Sequence, residues 1–164
     1  MNIDHTNDGV ASAFRRRYKT AYADWLCSQQ FNAGLTLNWN ADTNLDSARR
    51  DVGSCFFRVD RRLLGTRLHK HRDRRTFGVL FFEHLSTNLH CHGLIRVAPP
   101  HLPAFFDLFP ADRGGVWSEV CPSGTYALSP MTTPRAAAHY DLKEQHPSSD
   151  DRTVLWLDEF HPKD

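Results

Sequence analysis

His90-Cys91-His92 sets two imidazoles two residues apart. In a β-strand, alternate side chains share a face, so both rings reach the same side. Just before them, RTFGVLFFEHL (75–85) and NLHCHGLIRV (88–97) are β-rich runs separated only by Ser86 and Thr87. That spacing predicts a hairpin. With Ser86 and Thr87 at its tip, paired positions sum to 173, and Glu83 faces His90 on the side of the two rings. Two imidazoles and a carboxylate form a site for a divalent cation with open positions. A three-residue loop would instead bring His84 or Phe82 beside the pair. The motif alone carries little weight. Ten histidines among 164 residues give about 0.6 such pairs by chance, and the bland alternative is two half-exposed strand histidines. The facing carboxylate and the apolar LIRV that follows tip the balance towards a site.

The second pattern is Tyr140-Asp141-Leu142-Lys143. Thr133 and Pro134 supply a cap residue and a first-turn proline, so PRAAAHYDLKEQ reads as a helix that ends before Pro147. Residues three apart lie on one side of a helix, which puts Lys143 within reach of whatever Tyr140 holds. A phenol attacks phosphorus competently when a metal polarises the phosphate and a cation stabilises the charge. The competing reading of such a tyrosine is a packing ring with a wet hydroxyl.

The elements that must position these groups follow from periodicity. Residues 10–30 carry Phe14, Tyr18, Ala21 and Trp25 at helical spacing. FNAGLTLNWN (31–40) reads as a strand with Leu35 and Leu37 on one face and Thr36 and Asn38 on the other. Residues 42–47 supply caps for a second helix, with Leu45, Ala48, Val52, Cys55, Phe56, Val59 and Leu63 as its apolar stripe. GTRLHKHRDRR reads as an exposed loop, LPAFFDLF as a short helix, and VWSEV and TYALS as strands around the turn CPSG. TVLWLDEF (153–160) reads as a last strand or extended edge. In the hairpin, Leu80 and Phe82 should meet Cys91, Gly93, Ile95 and Val97 in the core, and Phe81 and Trp39 also fit core positions better than stacking ones. The result is an α+β domain with a central, mainly antiparallel sheet and flanking helices.

Composition bounds the rest. A chain of 164 residues and 18.8 kDa with 40% hydrophobic content fits one packed domain, 1–164. Its parts are an N-terminal helix (1–30), a core (31–145) and a C-terminal strand or tail (146–164). No apolar run reaches the roughly 18 residues of a membrane span, and the polar N-terminus is unlike a signal peptide. A cytoplasmic, membrane-free protein is expected. Four scattered cysteines argue against a disulfide scaffold or a zinc finger. Sixteen of the 20 basic residues are Arg. Between Arg58 and Arg75, eight Lys/Arg face two Asp. Arg61, Arg62, Arg67, Lys70, Arg72, Arg74 and Arg75 are therefore candidates for phosphate contact, with a solvated loop as the plain alternative. Because this segment directly precedes the strand bearing Glu83, its end is expected near the edge of the sheet that carries the metal.

Three pieces, in this order, resemble the HUH endonuclease superfamily: FNAGLTLNW its first motif, NLHCHGLI its His-hydrophobic-His strand, and YDLK its Tyr-x-x-Lys. The resemblance covers roughly residues 31–145 and is nearest to single-tyrosine Rep domains, which initiate rolling-circle replication. It implies a five-stranded antiparallel sheet related to the RNA-recognition and ferredoxin-like folds. It further implies that His90 and His92 bind Mg²⁺ or Mn²⁺, with Glu83 as third ligand. Tyr140 would attack a single-stranded DNA phosphate, keeping the 5′ end as phosphotyrosine, and Lys143 would steady the charge. Cys91 departs from the usual aliphatic residue between the histidines, although a free Cys packs as a small hydrophobe. No GxxxxGK[ST] motif is present, so a separate host helicase, supercoiling or an extruded hairpin would have to supply the single strand. A single-tyrosine transposase shares the same pattern. A non-catalytic nucleic-acid-binding module needs only a sheet with a basic loop. A zinc hydrolase lacks its HExxH.

Overall fold

Alternating apolar and polar residues in AGLTLN, the partly alternating HCHGLIR and the almost continuously apolar FGVLFFE form three strands in the middle of one sheet. The computed structural model describes residues 6–111, 114–131 and 151–161. Strand β1 is Ala33–Asn38, β2 is Phe77–Glu83, β3 is His90–Arg96, β4 is Thr125–Pro130 and β5 is Val154–Trp156. They form a five-stranded sheet in the order β4-β1-β3-β2-β5, and every pairing is antiparallel. The fold is α+β, as the patterning implies.

One face of this sheet holds the larger core. Leu35 and Leu37 of β1, Leu80 and Phe82 of β2, Cys91 and Ile95 of β3 and Leu155 of β5 are buried there. Helix α2, Leu45–Leu64, covers them with Ala48, Val52, Cys55, Phe56 and Val59. Asn44 caps α2, its side-chain oxygen accepting from the Ser47 amide at 2.8 Å. Trp39, at the end of β1, donates from its indole nitrogen to Asp51 at 2.9 Å and ties the strand to the helix. Helix α3, Leu102–Asp107, adds Phe105 to the same core.

The other face is covered in part by helix α1, Thr6–Ser28. Ala23 and Leu26 meet Val79, Phe81 and Leu94 in a second, smaller cluster. This corrects the stripe expected for α1. Tyr18 is 38% and Trp25 46% exposed, and Ala21 is exposed too, while Phe14 lies outside the described side chains. The helix is rotated so that its small residue, Ala23, lies against the sheet. Its aromatics line the flank, where Tyr22 stacks on Trp25 and Trp25 packs edge-on to Trp156.

VWSEV is not a strand. Gly115–Val120 forms helix α4, and the strand count reaches five through β5. Val116 and Trp117 are both buried although adjacent, as one helical turn against the core allows. Gly114 and Gly115 take φ of +93° and +69°, letting the chain turn inwards. Glu119 then points out towards Arg58 and Arg62. The stretch after α2 is not a free loop either, since 3-10 turns at Leu68–Lys70 and Arg72–Arg74 organise it and Leu68 is buried.

Candidate metal centre

The hairpin pairs as the two-residue tip requires, with Glu83 opposite His90, Phe82 opposite Cys91 and Phe81 opposite His92. The strands stop at Glu83 and His90, and the turn is wider than two residues: His84 and Asn88 take φ of +54° and +55°, with a 3.1 Å bond from the Thr87 amide to the His84 carbonyl. Thus Glu83, His90 and His92 share the sheet face that α1 covers farther along. Glu83 Oε2 lies 3.6 Å from His90 Nε2 and 3.9 Å from His92 Nε2. Its carboxylate side chain is 0% exposed, whereas the two histidines keep 15% and 16%. The carboxylate forms the floor and the imidazoles the doorway.

The far side of each ring fixes what its near side can do. His90 Nδ1 lies 3.0 Å from the Asn88 carbonyl. A carbonyl only accepts, so Nδ1 carries the proton of the neutral ring and Nε2 keeps its lone pair. Thr36 Oγ1, on β1 opposite His92, lies 3.0 Å from His92 Nδ1; with the hydroxyl accepting, that ring takes the same tautomer and offers Nε2 as well. Two Nε2 lone pairs and a carboxylate then converge on one point. Such an arrangement calls for a proton or a metal cation at its centre. Ligands about 2.1 Å from an ion sit about 3.0–3.5 Å apart, so a small contraction closes the observed separations. Glu83, His90 and His92 therefore fit a divalent cation, and this is the group of His, Cys and acidic residues among the described residues whose ligand atoms all lie within 4.8 Å.

Residues outside the expected set support it. Thr36 and the Asn88 carbonyl orient the ligands in the manner of outer-shell partners. The polar face of β1 signalled Thr36, but nothing in sequence joined it to His92, because the β1–β3 pairing spans over fifty residues. His84 stacks on His90, with ring centroids 5.1 Å apart, and forms the rim. At the same end of the sheet, Ala41–Asn44 and Leu85–Leu89 enclose a polar cleft of about 450 Å³. Tyr140 and Lys143, with the helix expected to carry them, lie outside the described residues.

The basic segment leads into the sheet that carries the metal centre, at the other end of β2 from Glu83. It enters β2 at Phe77, whereas Glu83 ends that strand six residues later. At about 3.3 Å per residue, the two lie on the order of 20 Å apart. Arg61, Arg67, Lys70, Arg72 and Arg74 are exposed. Arg62 is also exposed but pairs with Glu119 at 2.6 Å. Arg75 is turned inward, with 4% side-chain exposure and a 2.8 Å bond from Nε to Asp60, which also accepts from the Thr76 amide. A polyanion on the surface does not reach it. Phe81 and Trp39 are buried, as core positions should be. All four cysteines are free. No described helix is long and apolar enough to cross a membrane. Comparison with family models, curated proteins and solved structures finds no match for this chain.

Proposed function

We propose that the domain is a metal-dependent, single-tyrosine nicking and joining enzyme acting on single-stranded DNA, of the HUH type and nearest to initiators of rolling-circle replication. The observation that carries the reading is the convergence of Glu83, His90 and His92, with Glu83 Oε2 3.6 Å from His90 Nε2 and 3.9 Å from His92 Nε2. A bound Mg²⁺ or Mn²⁺ there would polarise the phosphate to be cut. The chain's own residues do the rest. Buried Glu83 supplies the anionic ligand, and Thr36 and the Asn88 carbonyl keep the imidazoles aimed. Cys91 and Gly93 on the opposite face let β3 sit against the core. The order FNAGLTLNW, NLHCHGLI and YDLK supports Tyr140 as nucleophile. Its phenolic oxygen forms a bond to phosphorus, the bond from phosphorus to the 3′ oxygen breaks, and that oxygen leaves with a proton as 3′-OH. Lys143 steadies the charge on the phosphate. Joining reverses the step.

The test is incubation with labelled single-stranded DNA and Mn²⁺ followed by a denaturing gel. A covalent protein–DNA adduct is expected, absent in EDTA and absent in Tyr140→Phe, which loses one oxygen and little packing. Adduct formation at a normal rate in Tyr140→Phe would refute the nucleophile, and full activity in EDTA would refute the metal. DNA binding without any adduct would leave a non-catalytic binding module.

A further inference from the structure

Helix α2 turns a second concave surface outward, on the side of the sheet opposite the metal centre. A groove of about 850 Å³ is lined by Arg50, Arg58, Arg61 and Arg62 together with Phe57 and Phe160. On α2, Arg50, Gly53, Phe57 and Arg61 recur at spacings of three and four, so they form one stripe opposite the core-facing one. Among the described residues, no acidic one lines the groove. Glu119 touches its margin, bonding Arg62 at 2.6 Å and Arg58 at 3.4 Å. Three of the four guanidinium charges are left over after that carboxylate. Among them stand two accessible rings, Phe57 at 49% and Phe160 at 38% exposure.

The groove is built rather than incidental. A Cβ at Gly53 would lie 2.7 Å from the Phe160 ring, so the ring rests against bare helix backbone. Arg49 clamps the segment carrying Phe160, donating to the carbonyls of Arg152 and Val154 and to Glu159 at 2.7, 2.9 and 2.7 Å. The result is an aromatic wall held against α2 beside a row of arginines.

From these we infer that the α2 groove is a second binding site for single-stranded nucleic acid, remote from the metal centre and taking one or two nucleotides. Guanidinium forks match phosphate geometry, and exposed rings stack on bases of any identity. An acidic peptide would answer the arginines but offers no regular π-face to the two rings, whereas each nucleotide brings an anion and a base together. The volume lies within the range of sites for small ligands. The inference shares with the proposed function only the class of ligand, since neither cleavage nor metal enters it.

The experiment is fluorescence anisotropy of a labelled oligothymidylate with the full chain in EDTA, across a salt series. Phe57→Ala should weaken binding about tenfold. Phe57→Leu, which keeps apolar bulk and guards against a folding defect, should weaken it in the same direction. Arg50→Gln with Arg61→Gln should flatten the slope of log affinity against log salt by about 1.4, at roughly 0.7 per phosphate contact. Unchanged affinity and slope in the groove variants would overturn the site. Displacement by a polyglutamate peptide, with Phe57→Leu without effect, would overturn it in favour of an acidic protein partner. Absence of a covalent adduct alongside intact groove binding would sink the nuclease reading and leave this one standing.

Discussion

Thr36 makes no contact that a sequence motif would reveal, yet it decides how His92 meets a cation. Its hydroxyl is 3.0 Å from His92 Nδ1, so Thr36→Val keeps shape and removes the partner. Outer-shell losses of this kind typically cost about 10- to 100-fold in metal affinity. Titration of Mn²⁺ should show that loss with the thermal midpoint of the metal-free protein little changed, and an unaltered affinity would refute the orienting role. Glu83 behaves differently because it is buried at the floor. Glu83→Gln keeps the volume and removes the charge, so it should fold and bind the cation weakly. By contrast His84→Ala, at the rim, should leave affinity near normal. The reverse order of effects would mean that His84 is the ligand. The Glu83–His90–His92 set was legible in sequence because a short hairpin fixes its own register. Thr36 was not, because its partner lies on a strand distant in sequence.

Among the elements, α2 is held by more than its apolar stripe. Asp60 near its end accepts from Arg75 Nε and from the Thr76 amide, both at 2.8 Å, in buried surroundings. Removing one member leaves the other charged and enclosed, which typically costs about 3–5 kcal/mol. Arg75→Ala should therefore lower the denaturation midpoint in urea strongly while leaving the salt slope of DNA binding unchanged. Arg72→Ala with Arg74→Ala should do the opposite, flattening that slope by about 1.4 if each meets one phosphate. A large stability loss in the latter pair would show that the exposed arginines are structural. The strong periodicity of α2 and of the hairpin made both readable. VWSEV was not, because five residues with apolar positions at one, two and five suit a helical turn as well as a strand, and the two glycines before it decide the matter.

For the molecule as a whole, pH and chain order set stability. His161 has its pKa held below the usual imidazole range, chiefly by burial and then by Arg75, against the opposing pull of Asp60 and Asp158. The unfolded chain binds that proton more readily, so stability is fully present above about pH 6.5 and falls as pH drops through the lower folded value. His161→Gln should flatten the decline in thermal midpoint across that window. An identical decline in the variant would assign it to other groups. The strand order carries a separate consequence. Strand β3 is hydrogen-bonded on both sides, by β1 and by β2, so its amides have no edge from which to fray. Their exchange with deuterated water should follow global unfolding rather than local opening. Both histidines of the cradle ride on that strand, so the cradle persists for as long as the folded chain does, with or without an ion. Any cation it takes up should slow exchange at Cys91 and Leu94 by the same factor by which it stabilises the entire fold.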